Sequence, residues 1–239
     1  MTSKLNVLFS ASELSEDKIE GKTAVVVDVL RATSVMVTAL NNGAEKVFPV
    51  LSSSEAFKYK MENDAKIILA GERNTDRIDG FDYGNSPLEM KNEVVSDATL
   101  VMTTTNGTRA IRGAEKASDL FIASFLNAES TVNALLLHEN IVLICSGTDG
   151  GFSLEDTLCA GYLADLISKV DKDILLSDAA LASRKLYLSV EDDMRLFAAN
   201  GRHYGILKAK GRCADLEYCF RKNEVPVVCK RIGDFIYAV

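Results

Sequence analysis

Apolar runs alternate with helically spaced segments along most of this chain. Ala24–Leu30 is a continuous apolar run broken only by Asp28, the pattern of a strand buried on both faces. Ala32–Leu40 then takes helical spacing, with Val35, Met36, Ala39 and Leu40 on one side, and Gly43 is placed to stop it. Lys4–Phe9, Lys46–Leu51 and Lys66–Ala70 read as strands, with a helix over Ser53–Glu62. Leu100–Thr104, Leu120–Ser124 and Ile141–Cys145 read as further strands. Helices follow them near Thr108–Lys116, Ala128–His138 and Leu154–Val170. Between these lie a polar turn-like stretch, Ser12–Lys22, and a long polar loop, Gly71–Pro87. A short helix over Pro87–Val94 would have Ser86 as its cap.

The character changes near residue 171. Ser177–Tyr187, Val190–Asn200 and Ala214–Lys222 read as helices, and Val225–Ile232 and Asp234–Val239 as closing strands. Repeated strand–helix alternation predicts a layered α/β fold with a largely parallel sheet, and the helical end is expected to pack on its face or edge. The 239 residues suffice for one α/β domain, or for two lobes dividing near 171.

Composition narrows the class. Hydrophobic residues make up 47% of the chain, which argues against disorder. A net charge of −7 disfavours a nucleic-acid partner, although a local pocket field can still hold an anion. Five cysteines without metal-type spacing read as reduced thiols, and two histidines make a histidine-built zinc site a poor fit. With no signal-peptide pattern and no apolar run of membrane length, the expectation is a soluble cytoplasmic protein.

Three strand-to-helix junctions carry the candidate chemistry: residues 24–34 (AVVVDVLRATS), 99–109 (TLVMTTTNGTR) and 140–156 (NIVLICSGTDGGFSLED). In an open parallel sheet such loops converge on one crevice at the carboxyl ends of neighbouring strands. Asp28 interrupts an apolar run, where a charge is costly unless paired or metal-bound. It reads as a metal ligand or nucleophile, or as a cap for the next helix or a partner for Arg31. Arg31, Thr33 and Ser34 offer a guanidinium fork and hydroxyls at a helix start, a setting that suits a phosphate. The segment TTTNGTR supplies Thr104, Thr105, Asn106, Gly107, Thr108 and Arg109, too polar for core packing and suited to an oxyanion cradle.

Further carboxylates follow. Glu72 and Asp82 lie in the long loop with Asn85 and Ser86, and Glu155 and Asp156 open a later helix. Oxygen donors of this kind suit a hard divalent cation, which offsets the repulsion of about 4 kcal/mol between two carboxylates ~4 Å apart at an effective dielectric of 20. Read singly, they are a solvated acidic loop and favourable first-turn charges. Ser153 and Asp156 match a capping box in part. Cys145 lacks the Cys-x5-Arg loop of a cysteine phosphatase and reads as a buried thiol. His138 reads as exposed, and His203 is a weaker pocket candidate. No G-x-S-x-G elbow and no G-x-G-x-x-G fingerprint occurs, which counts against a serine hydrolase and a dinucleotide enzyme.

At DVLRATS (28–34), GER (71–73), FDYGNSP (81–87), TTTNGT (103–108) and CSGTDGGFSLED (145–156), and in the glycine–aspartate pattern of 211–215, the chain resembles the 2-phosphosulfolactate phosphatase family over nearly its whole length. The resemblance implies a layered α/β/α sandwich of unusual topology with a largely parallel or mixed sheet. It also implies a Mg²⁺-dependent acid phosphatase that releases phosphate and sulfolactate from 2-phosphosulfolactate, a step toward coenzyme M.

The resemblance fixes the neighbourhood rather than the roles; from the junction residues themselves the expectation is that Asp28, Glu72 and Asp156 hold Mg²⁺, with Asp82 and Glu155 in reserve. Asp28, Glu72 and Arg31 carry catalysis by water attack. Arg31, Asn106, Gly107, Thr108 and Arg109 bind phosphoryl or sulfonate, helped by Thr33, Ser34, Thr104 and Thr105. Asn85 and Ser86 orient the acid end. The expected partner is a small phosphorylated, sulfonated acid, with no nucleic acid and no membrane, and with a homo-oligomer left open. A non-catalytic anion-binding protein on the same fold is the alternative.

Overall fold

The computed structural model describes residues 3–239. Its strands are β1 (Lys4–Leu8), β2 (Thr23–Val27), β3 (Lys46–Pro49), β4 (Ile67–Arg73), β5 (Asp76–Arg77), β6 (Thr99–Thr103), β7 (Asp119–Ala123), β8 (Asn140–Cys145), β9 (Leu175–Leu176), β10 (Cys229–Ile232) and β11 (Phe235–Ala238). The helices are α1 (Glu16–Ile19), α2 (Ala32–Asn41), α3 (Ser53–Glu62), α4 (Asn92–Val95), α5 (Gly107–Gly113), α6 (Ala128–Leu135), α7 (Leu154–Val170), α8 (Asp178–Ser189), α9 (Met194–Ala198), α10 (Arg202–Ala209) and α11 (Cys213–Cys219).

All eleven strands join one sheet in the order β5-β4-β6-β3-β11-β10-β7-β2-β8-β1-β9. Two blocks within it are internally parallel: β4-β6-β3, and β7-β2-β8-β1-β9. The carboxyl-terminal hairpin β10–β11 lies between them and pairs antiparallel with β7 on one side and β3 on the other. Its two antiparallel joints and its own turn reverse the strand sense, so the blocks run in opposite directions along the sheet. That differs from the single parallel set in which neighbouring loops converge. A right-handed strand twist of roughly 20–25° per step accumulates over the five steps from β2 to β6, and this rotation lets loops from both blocks meet.

Strand alternation sorts side chains into two cores. Val25 and Val27 of β2 face one cluster with α6, α7 and α8, while Ala24 and Val26 face another with α2 and α5. Every residue of β2 is buried, and each valine contributes about 2 kcal/mol by its removal from water. Helix α2 is buried from Ala32 to Leu40, so apolar and small residues occupy nearly its whole circumference. A smaller cluster under α3 contains Val50, Leu69, Phe81 and Val101.

Several expected elements change. The loop 71–87 is partly a hairpin: β4 runs on to Arg73 and pairs antiparallel with β5 across Asn74–Thr75. The expected helix over 87–94 is a 3-10 turn, Pro87–Glu89, followed by the single turn α4, and the Ser86 hydroxyl does not cap it. The strand expected from Val225 begins only at Cys229, and α10 forms over residues that carried no helical expectation. No helix among the described residues is long and apolar enough to cross a membrane.

Candidate active site

A cavity of about 200 Å³ gathers loops from both parallel blocks. After β2 come Asp28 and Arg31, from β4 Glu72, and after β6 Thr104, Thr105 and Asn106. Asn85 also lines it, as do Thr75, Thr148, Asp149 and the α10 residues Arg202 and His203.

Asp28 is fixed by its own backbone. Its N–H donates to Thr33 Oγ1 (3.0 Å), and that hydroxyl donates back to the Asp28 carbonyl (2.9 Å). Its carboxylate Oδ1 accepts the Ala32 N–H at 3.2 Å, so part of its role is the helix cap. Gly107 makes room for it: a Cβ there would lie 2.6 Å from Asp28 Oδ2 and 2.5 Å from Ala32 Cβ. Burial pushes the Asp28 carboxyl up to about 6 against the pull of the Ala32 N–H and His203, and the charges of Glu72 and Glu155 push the same way as burial.

Glu72 projects from β4 and closes two loops at once. One carboxylate oxygen accepts the Thr75 N–H and the other the Thr105 N–H, both at 2.8 Å. Gly71 permits the approach of β4 to β6 here, since a Cβ on it would lie 2.1 Å from the Thr103 carbonyl oxygen.

Arg31 is buried and forms its ion pair with Asp215 of α11 at 2.5 Å. The other Asp215 oxygen accepts the Ser86 hydroxyl, so one carboxylate ties the β2 loop, the 85–87 segment and the carboxyl-terminal helices together. The planar guanidinium keeps further N–H donors for an anion. His203 Nε2 bonds the Leu30 carbonyl at 2.8 Å. A carbonyl only accepts, so Nε2 carries the proton.

Other expected site residues stand behind the wall or away from it. Thr33 shapes the Asp28 loop, and the Ser34 hydroxyl donates to the Val29 carbonyl. Thr108 locks Thr104 reciprocally: its Oγ1 donates to the Thr104 carbonyl, and its N–H donates to Thr104 Oγ1. Asp156 accepts the Val29 and Gly147 N–H groups at 2.9 and 3.1 Å, and so joins the β2 and β8 loops. Only half of a capping box forms there, because the Asp156 N–H reaches Ser153 Oγ while its carboxylate turns to those loops. Burial, then the charges of Asp28 and Glu155, push the Asp156 carboxyl well up. Glu155 is buried beside α10, with an oxygen 3.7 Å from where a Gly201 Cβ would stand.

Asp82 and Arg109 lie apart. Asp82 accepts the Leu69 N–H and pairs with Lys60 at 2.8 Å on the α3 side. Arg109 lines an adjoining groove with Arg112, and Asn106 stands between that groove and the cavity. Cys145 is a buried thiol, and His138 is half-buried against Thr23.

The electrostatics have one dominant feature. Asp28, Glu72, Glu155 and Asp156 are all buried, and among the described residues none makes an ion pair. No cluster of three or more carboxylates, histidines or cysteines there forms a closed cation cage. The cavity therefore offers the carboxyl groups of Asp28 and Glu72, with Glu155 and Asp156 behind them, the buried guanidinium of Arg31 and the Asp149-paired one of Arg202, and the hydroxyl and amide groups of Thr104, Thr105, Asn106 and Asn85 along its wall.

Sequence reasoning missed Thr75, named Asp215 only within the 211–215 pattern without giving it a role, and undervalued His203. Thr75 was hidden because NTD within GERNTDR gave no strand pattern. Asp215 lies 184 residues from Arg31, a separation that no local pattern spans.

Known proteins resemble this chain over nearly its whole length. The profile of the family described as 2-phosphosulpholactate phosphatase matches residues 8–232. A Clostridium novyi protein named "Probable 2-phosphosulfolactate phosphatase" is 48% identical over 226 residues, covering 94% of this chain and 95% of its own. Proteins of the same name from Caldicellulosiruptor saccharolyticus and Clostridium acetobutylicum are 44% and 42% identical. The first alignment covers 91% of this chain and 92% of the relative, the second 94% and 96%. On the strength of those matches over nearly its full length, the chain belongs to the 2-phosphosulpholactate phosphatase family.

Proposed function

We propose that this protein hydrolyses 2-phosphosulfolactate, or a closely similar phosphorylated hydroxy acid, to the free hydroxy acid and phosphate, with Mg²⁺ held by Asp28 and Glu72. The observation that carries this reading is the group of four buried carboxylates without a counter-cation beside Arg31. Buried carboxylates are costly unless paired, protonated or metal-bound. Magnesium commonly uses one or two protein carboxylates and keeps waters and phosphate oxygens as its other ligands, which fits a site without a three-ligand cage. The relatives' printed names supply the substrate class, and the route is the coenzyme M type that the sequence resemblance implies.

The chain's own groups have distinct tasks. Arg31, oriented by Asp215, binds phosphoryl oxygens through its free N–H donors. Thr104, Thr105 and Asn106 complete the anion wall, with Thr108 holding the Thr104 loop from behind. Glu72 keeps the β4 and β6 loops together, and Asp156 does the same for the β2 and β8 loops. The chemistry that a bound Mg²⁺ supplies is neutralisation of phosphoryl charge and placement of a water for in-line attack. Burial of the site excludes competing solvent and strengthens each of these interactions.

The test is phosphate release from 2-phosphosulfolactate by the purified protein with Mg²⁺ and with EDTA. Release that requires Mg²⁺ is expected. Turnover insensitive to EDTA overturns the metal assignment, and binding without turnover overturns the enzyme.

A further inference from the structure

The hairpin between β4 and β5 turns on two residues, Asn74 and Thr75, with φ values of +54° and +69°. Two consecutive positive φ values mark a type I′ turn, whose second position is the usual place for glycine. Asparagine tolerates this region, but a β-branched residue there is a genuine outlier. Thr75 nevertheless stands at that position, lines the cavity and is 9% exposed. Its N–H holds Glu72, a bond that glycine would make equally well. What threonine adds is a hydroxyl, and that Oγ1 is buried with no hydrogen-bond partner. Asn85 lines the same cavity, and its Oδ1 is likewise buried and unpartnered. Buried polar groups are nearly always satisfied, so two unsatisfied ones on one cavity wall point to a ligand. Strain kept in the backbone at the same place points the same way.

We propose that Thr75 is a specificity-determining residue: its hydroxyl, with the Asn85 amide, recognises an acidic group of a small phosphorylated hydroxy acid other than its phosphoryl ester, the carboxylate or the sulfonate. Rotation of the Asn85 amide presents Nδ2 in place of Oδ1, and a step between staggered χ1 wells brings the recessed threonine hydroxyl to the cavity surface. Arg31 lines the same cavity and holds the phosphoryl end on the phosphatase reading. The proposal rests on the phosphatase reading for its substrate, but its test includes binding measurements that need no turnover.

The variants are Thr75→Val, Thr75→Ser and Thr75→Gly in the full chain with Mg²⁺ present. Valine keeps shape and branching without the hydroxyl, serine keeps the hydroxyl, and glycine removes both side chain and strain. Sulfolactate and inorganic phosphate binding are measured by calorimetry, alongside kcat/KM for 2-phosphosulfolactate and for a phosphate monoester with no other acidic group. Sulfolactate affinity is expected to fall about ten- to hundredfold in Thr75→Val, the scale of one lost bond to a charged group, and by less than about threefold in Thr75→Ser. The ratio of kcat/KM between the two substrates should fall at least tenfold in Thr75→Val. Thr75→Gly should lose sulfolactate binding as valine does while its melting temperature rises.

The proposal is overturned if wild-type protein does not bind sulfolactate, or if valine and glycine bind it as tightly as threonine does. It is also overturned if the valine variant loses sulfolactate and phosphate in the same proportion, the mark of an effect through Glu72. A wild type that binds sulfolactate with this discrimination yet releases no phosphate removes the enzymatic reading and leaves the subsite standing.

Discussion

Helix α7 carries buried carboxylates in two neighbourhoods treated in opposite ways. Asp165, midway along the helix, is 1% exposed and held by Lys169 at 2.7 Å and Arg184 at 3.0 Å. Burial pushes its carboxyl up, but the two cations outweigh burial and hold it below the usual range. Asp156, near the helix start, is as deeply buried, yet backbone N–H groups are its partners and Asp28 and Glu155 are its charged neighbours. Its carboxyl is pushed well above the usual range. A carboxylate packed with its counter-ions has its charge balanced within the fold. A carboxylate packed with others like it leaves a deficit of positive charge that a ligand can fill.

The largest test of this contrast is Asp28→Asn, which keeps the shape and the Ala32 cap and removes one charge from the unpaired group. Turnover of 2-phosphosulfolactate is expected to fall by a factor of about a hundred to a thousand, in the range seen when an electrostatic element of a site is lost. The melting temperature measured without metal should hold or rise, because a repelling charge has gone. A variant with near wild-type kcat would take Asp28 out of the chemistry.

Asp165→Ala tests the paired neighbourhood. It removes two charge-assisted contacts, and stability should fall by about 2 kcal/mol, a drop of roughly 4–8 °C for a chain of this size. Phosphatase kinetics below the transition should stay close to wild type. Denaturant unfolding and a Michaelis curve decide it, and a kcat loss like that of Asp28→Asn would erase the distinction between the two neighbourhoods.

The sequence makes the unpaired neighbourhood legible better than the paired one. An aspartate inside AVVVDVL declares its cost on its face, and Thr104–Asn106 declares itself by polarity at a strand end. The layered α/β class is equally visible, because β2, β6, β7 and β8 are short apolar runs each followed by a helical pattern. The sense reversal at the β10–β11 hairpin is not, since pairing partners are set by contacts over more than a hundred residues. Arg31 is visible as a phosphate-type residue, but its partner Asp215 is supplied from α11. Thr75 escapes for another reason: a type I′ turn is recognised by the glycine it usually contains, and this one has threonine.

Acidity separates the neighbourhoods more gently. Asp28 titrates near 6 in the fold against 3.8 for an ordinary aspartate. Between those values the folded chain binds more protons than the unfolded one, so stability falls as pH rises through the window and the deficit is complete above about 6. Asp156 acts in the same direction, whereas Asp82 and Asp165, both lowered, lose their contribution only as pH falls below about 3.8. In EDTA the melting temperature should therefore be a few degrees higher at pH 5.5 than at pH 8. Added Mg²⁺ should stabilise more at pH 8, where the carboxylates are free to bind it. A Mg²⁺ shift equal at both pH values would separate the metal from these carboxylates.

The smallest effect is expected where a carboxylate belongs to neither neighbourhood. Asp82 shares the acidic composition that made it a reserve metal ligand, but it pairs with Lys60 where both side chains are about 40% exposed. Such pairs contribute roughly 0–1 kcal/mol, and an asparagine keeps an oxygen for the Leu69 N–H. Asp82→Asn should therefore shift stability by less than about 1 kcal/mol and leave both kcat and the Mg²⁺ concentration for half-maximal rate within about twofold. The Mg²⁺ titration is the sharper readout, because a carboxylate that touches the ion directly or through water would raise that concentration well beyond twofold when neutralised. A large rise would extend the charge deficit to the α3 side of β4, and the contrast along α7 would no longer mark where the site ends.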